Sequence, residues 1–166
     1  GALRKALEFM PLNVETRIDL VLADLNAQSP DFDSIVSDLN LAKRQNPYES
    51  QAYFLLSQVP LGKIEDRIAL AEKAIQLDPY NRPYYYLGLS RLYREIGDEQ
   101  RELDLLVTFD NRFRITERIT PDFPRPNWVN YNITFHKIYS RLSELVYGKS
   151  PALSLAYRRI AEKFAE

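Results

Sequence analysis

Apolar residues recur along this chain at helical spacing, and proline and glycine cut the pattern into segments of similar length. Val14, Ile18, Val21, Leu22 and Leu25 fall on one face at a 3.6-residue period and predict a helix over about 13–27. Ser29-Pro30-Asp31 then supplies an N-cap, a first-turn proline and an acid near the positive helix end. The helix it opens buries Phe32, Ile35, Val36, Leu39 and Ala42. A short helix over 48–58 is broken by Val59-Pro60-Leu61-Gly62, and one over 63–77 turns Ile64, Ile68, Ala71, Ala74 and Ile75 inward. Helices over 82–96 and 98–112 follow, with Gly97 as the turn between them.

Three prolines fall within six residues at 121, 124 and 126, so 114–126 is expected to be a loop. Asn127 then caps a long helix whose stripe is Trp128, Tyr131, Phe135, Ile138, Tyr139, Leu142, Leu145 and Val146. Gly148-Lys149-Ser150-Pro151 stops that helix and caps the next. The last helix presents Leu153, Ala156, Tyr157, Ile160, Ala161 and Phe164 inward.

The segments repeat. An alanine stands five residues before a proline in Ala6–Pro11, Ala42–Pro47 and Ala74–Pro79, and the prolines lie 36 and 32 residues apart. Proline ends one helix and sets the turn to the next, while the alanine one turn earlier lets a neighbouring helix approach. After two of the prolines come an aromatic-rich helix start and small residues, Ser57 in one case and Gly88 and Ser90 in the other.

This punctuation, with Ala71-Glu72-Lys73-Ala74-Ile75-Gln76-Leu77-Asp78-Pro79, the positions Tyr86, Leu89, Ser90 and Tyr93, and the turn Ile96-Gly97-Asp98, resembles the tetratricopeptide repeat family. The resemblance is good over about 47–110, looser over 1–46 and weak beyond 115. The family often has alanine a few residues into the second helix, where this chain has Glu102 or Leu103. It implies an all-α fold, a right-handed α-α superhelix of antiparallel helix pairs in a single domain over 1–166. Within it, 1–113 would carry the repeats and 127–166 a C-terminal capping pair that covers the last apolar face.

Composition narrows the function. The net charge of -1 provides no global field for a polyanion, so nucleic acid is not an expected partner. There is no cysteine and one histidine, which leaves little for a metal centre, and no cofactor is expected. His136 reads as a helix-packing residue, and the acids as helix-start or solvated groups. Asn132-Ile133-Thr134 fits a glycosylation sequon but falls within a helix. No phosphate-binding glycine loop or nucleophile elbow is present. No apolar run reaches the ~18 residues that span a bilayer. The chain starts inside an apparent helix, so a fragment of a longer protein is expected. Its compartment stays open.

Catalysis is therefore the least supported reading, and binding of a protein or peptide the leading one. By the resemblance, first helices line a concave groove. Tyr84, Leu87, Arg91 and Arg94 would look into it, with Gln51, Phe54 and Gln58 as counterparts one repeat earlier and Arg17 and Asp24 as fainter candidates. The arginines favour an acidic or carboxylate-bearing segment. Of the four tyrosines 80, 84, 85 and 86, Tyr86 shares the buried face with Tyr93, and one of Tyr84 and Tyr85 must face outward. An alternative, also by resemblance, is an extramembrane domain of a larger bacterial membrane protein, such as a polysaccharide polymerase or an O-antigen-ligase-like protein. A third reading is self-association through the aromatic last helix pair.

Overall fold

A computed structural model describes residues 2–10, 13–119 and 131–165, with the backbone alone over 114–119. Among these residues there are nine α-helices and no strand. The chain divides into two compact units, Gly1–Asp78 and Pro79–Glu166.

The first unit holds α1 (Ala2–Phe9), α2 (Val14–Leu25), α3 (Phe32–Gln45), α4 (Ser50–Gln58) and α5 (Ile64–Leu77). Each helix packs on the next in sequence. Much of its core comes from the predicted stripes: Ile18 and Val21 of α2, Ile35, Leu39 and Ala42 of α3, and Ile68, Ala71, Ala74 and Ile75 of α5 are buried, joined by Leu20 and by Ala52, Phe54, Leu55 and Leu56 of α4, which no stripe predicted. Asn13 caps α2 by accepting from the Thr16 N–H at 2.9 Å. Asp31, not Ser29, caps α3 by accepting from the Ser34 N–H at 3.1 Å. The carboxylate one residue beyond Pro30 thus does the work expected of the serine before it.

The proline punctuation acts as its chemistry demands. The carbonyls of Ala6, Ala42 and Ala74 accept from the N–H of Met10, Asn46 and Asp78, at 2.9, 2.8 and 3.0 Å. Asn46 and Asp78 leave the helix with φ/ψ of −136°/96° and −140°/80°. A residue before proline is driven out of the helical region in this way, so the helix stops there. Ala42 and Ala74 have no exposed surface, as a close helix approach requires.

The second unit holds α6 (Pro83–Glu95), α7 (Glu99–Ile119), α8 (Asn132–Tyr147) and α9 (Pro151–Glu162). α6 pairs with α7, α8 pairs with α9, and α8 also packs on both α6 and α7. Gly97 at φ +73° turns the chain between α6 and α7, a conformation that costs an L side chain about 1–2 kcal/mol. The N–H of Asp98 reaches the Tyr93 carbonyl and that of Gly97 the Arg94 carbonyl, which ends α6 in a Schellman turn.

Three expectations change here. α7 continues to Ile119 rather than ending at 112, because no proline or glycine interrupts it before Pro121. The rest of the expected loop, with Asn127 and Trp128, lies outside the described residues. α8 begins at Asn132, with Tyr131 at its N-cap. In α9, Leu153 and Ala156 are exposed, and Ser154, Tyr157 and Ala161 take the inward positions.

Candidate partner-binding face

A shared frame of residues builds the helix pairs. Tyr53-x-x-Leu56-Ser57 in α4, Tyr86-x-x-Leu89-Ser90 in α6 and Tyr139-x-x-Leu142-Ser143 in α8 have the same spacing. In each, the leucine and serine are buried. The tyrosine hydroxyl ties the helix to a preceding segment. Tyr53 donates to the Pro47 carbonyl at 3.1 Å, Tyr86 to the Pro79 carbonyl at 2.9 Å, and Tyr139 to Asp110 Oδ1 at 3.0 Å. The serine marks where the second helix of the pair crosses the first. There Ser57 O accepts from Arg67 Nε at 2.9 Å, Ser90 Oγ donates to Glu102 at 2.7 Å, and Ser143 Oγ meets Ser154 Oγ at 2.9 Å. The frame carries α8–α9 as well, so the last pair is constructed like those before it.

Glu102 of α7 is fully buried. Arg141 of α8 grips it with Nε on Oε1 at 3.1 Å and Nη2 on Oε2 at 2.8 Å. Arg94 of α6 adds a third, looser charge at 3.5 Å. Burial is the largest single influence on this carboxyl and opposes ionisation. The hydrogen bonds from Arg141 and Ser90, with the charges of Arg141 and Arg94, outweigh it and hold Glu102 below its ordinary value. One carboxylate thus joins α6, α7 and α8. Asp110, two turns further along α7, accepts from Tyr139 of α8 and from Tyr157 of α9 at 3.4 Å.

Each expected binding residue can now be placed. In the first unit, Arg17 is 7% exposed and its Nη1 lies 2.6 Å from Asp38. It is an α2–α3 packing ion pair. Phe54, 8% exposed, belongs to the core. Gln51 and Gln58 are half-buried, and Gln58 donates to Ser57 Oγ at 2.8 Å. Asp24 pairs with Arg4 of α1 at 3.0 Å.

In the second unit, Tyr84, Leu87, Arg91 and Arg94 form one stripe of α6. Tyr85 and Tyr86 are buried and Tyr84 is the half-buried one. Burial pushes the Tyr84 phenol up, against the hydrogen bond from Arg82 at 2.9 Å, and its ring stacks 6.0 Å from Tyr131. Leu87 is half-buried. Arg91 is exposed and forms no ion pair with the described residues, whereas Arg94 shares Glu102 with Arg141.

The frame also identifies residues that the proline punctuation does not mark. At the positions of Tyr84, Leu87, Arg91 and Arg94, α8 carries Lys137, Ser140, Glu144 and Tyr147, all exposed except the half-buried Ser140. The signal was Tyr139-x-x-Leu142-Ser143, which has no Ala-x4-Pro element before it. His136 packs α8 on α9, with Nδ1 3.0 Å from the Ala161 carbonyl. A hollow of about 670 Å³ is lined by Arg94, Arg101 and Arg141, but these cations are matched by Asp98, Glu102 and Glu144. Among the described residues no group of three or more acids or histidines is placed to hold a metal ion, and no helix is long and apolar enough to cross a membrane.

No family model and no curated protein match the sequence. Solved structures do. The crystal structure of MamA aligns with a TM-score of 0.67 at 18% identity, over 98% of this chain and 84% of that one. A crystal structure of MamA protein gives 0.63 at 18% identity, over 98% and 79%. Identity this low speaks to fold, and it agrees with the helix pairs and their shared frame: the chain is an all-α protein of tetratricopeptide-like repeat fold.

Proposed function

We propose that the protein is a non-catalytic interaction module that takes an acidic or carboxylate-bearing peptide along the outer stripe of α6. A repeat of helix pairs offers long exposed helix faces, and its polar clusters are spent on holding helices together. The observation that carries the reading is Arg91. It is an exposed guanidinium free of ion pairs among the described residues, one turn from the half-buried Leu87 and two turns from Tyr84. An uncommitted arginine beside an apolar and an aromatic side chain is the combination that anchors a carboxylate and its neighbouring residue. Arg94 supports it less, because it is already drawn toward Glu102.

The test is fluorescence anisotropy with a labelled peptide ending in alternating leucine and glutamate, against the same peptide with lysine for glutamate. The acidic probe is expected to bind and to lose about tenfold in affinity on Arg91→Ala, or about 1.4 kcal/mol. Equal binding of both probes, or binding untouched by Arg91→Ala, would remove this assignment.

A further inference from the structure

The shared frame allows the outer faces of α6–α7 and α8–α9 to be compared. On α6–α7 the Ser90–Glu102 contact is covered: α8 packs across both helices and lays Arg141 on Glu102. On α8–α9 the corresponding contact is Ser143–Ser154, both buried, and a hollow of about 320 Å³ opens there, lined by these serines with Glu144, Tyr147 and Arg158. The rim is unlike ordinary surface. Tyr147 is 64% exposed, and Leu155, one turn before Arg158 on α9, is 48% exposed. The Glu144 side chain is 66% exposed, and Arg158 is exposed without an ion pair among the described residues.

We propose that this face is an interface between two copies of the chain related by a twofold axis. Three observations favour that occupant. On the preceding pair the equivalent face is not left open but is covered by a helix of this same chain, α8. The patch is complementary to itself, as an isologous contact requires. One acid and one base line the same hollow, so a twofold axis through it sets Glu144 of each copy against Arg158 of the other. A uniformly acidic or basic helix would instead meet a like charge at one of the two positions. Tyr147 and Leu155 supply the apolar anchors, and tyrosine is among the residues on which interfaces concentrate their binding energy. The proposal is independent of the α6 stripe.

Sedimentation equilibrium of the whole chain, from micromolar to sub-millimolar concentration, tests it. The mass is expected to double toward the upper end. Arg158→Glu and Glu144→Arg should each raise the dimer dissociation constant at least tenfold, because each sets like charges together twice. Mixing the two variants should restore the dimer, since both contacts become opposite-charge pairs again. Leu155→Glu, which leaves the Arg141–Glu144 pair intact, should also give a monomer, and circular dichroism should show all three variants folded. A wild type that stays monomeric at the highest concentration overturns the proposal. So does a dimer that survives all three substitutions, or a mixture that does no better than its components.

Discussion

The pairs α4–α5 and α6–α7 share the Tyr-x-x-Leu-Ser frame, yet they are held at its centre in opposite ways. In α4–α5 a charged donor, Arg67, closes the crossing by binding the Ser57 carbonyl, and its head remains half-buried. In α6–α7 a charged acceptor, Glu102, lies fully buried between Ser90 and two arginines. A guanidinium on a long stem can bond a carbonyl and still keep part of its head near water. A buried carboxylate cannot, so it must be given donors, and one of them has to come from a third helix. Glu102 therefore makes α8 part of what holds α6–α7, whereas the Arg67–Ser57 bond lies within its own pair.

The largest effect should come from breaking that dependence. Arg141→Ala leaves Glu102 buried with weakened compensation and should destabilise the second unit by ~3–5 kcal/mol in urea unfolding. Arg67→Ala, which removes a charged hydrogen bond from a backbone carbonyl, should cost the first unit roughly 1.5 kcal/mol. Equal losses would show that the two crossings are energetically alike despite their chemistry.

Acid should separate the units next. Glu102 is held below its ordinary 4.5, so its charge stabilises the fold above that pH, and the contribution is lost as pH falls through the lower folded value. Asp98 is also held low, first by the Arg101 N–H and then by its guanidinium, so it adds acid dependence of the same sign. The measurement is therefore the difference between wild type and Glu102→Gln. The variant should be the less stable at neutral pH, and the gap should narrow below pH 4.5. A constant gap from neutral to acid pH would mean that the ionised carboxylate contributes nothing.

The smallest effect concerns the tyrosine hydroxyls. Tyr86 is fully buried and its hydroxyl also accepts from Arg112, so Tyr86→Phe should cost about 1 kcal/mol. Tyr53→Phe, at a solvent-accessible bond, should cost roughly half that. A reversed order would show that burial does not set the value of this repeated bond.

Much of the fold was legible before any coordinates. Ile35, Leu39 and Ala42, like Ile68, Ala71 and Ala74, are buried where their spacing puts them. Local rules misplaced some ends and some faces, such as Leu153 and Ala156, which are exposed. Ser29 and Asp31 are both good caps two residues apart, and Asp31 serves because α3 begins at Phe32. The loop expected over 114–126 gives way to helix as far as Ile119. The candidate face was less legible. Arg17 and Arg91 are alike as helix arginines, but Arg17 meets Asp38 on the neighbouring helix and Arg91 meets no acid among the described residues. The third frame was missed because its tyrosine follows the second by 53 residues, where the first two are 33 apart.

By itself the sequence determined the helices, where proline and glycine end them, and the tetratricopeptide-like class of the repeat. All of these arise from interactions within a few turns of chain, where spacing and side-chain chemistry suffice. Only the tertiary structure decided that Glu102 is a buried junction, that Arg17 is packing and Arg91 is surface, and that the α8–α9 face bears an open hollow. Those outcomes depend on partners such as Arg141, 39 residues from Glu102. Burial and charge pairing are properties of what the folded chain brings alongside, which no local pattern records.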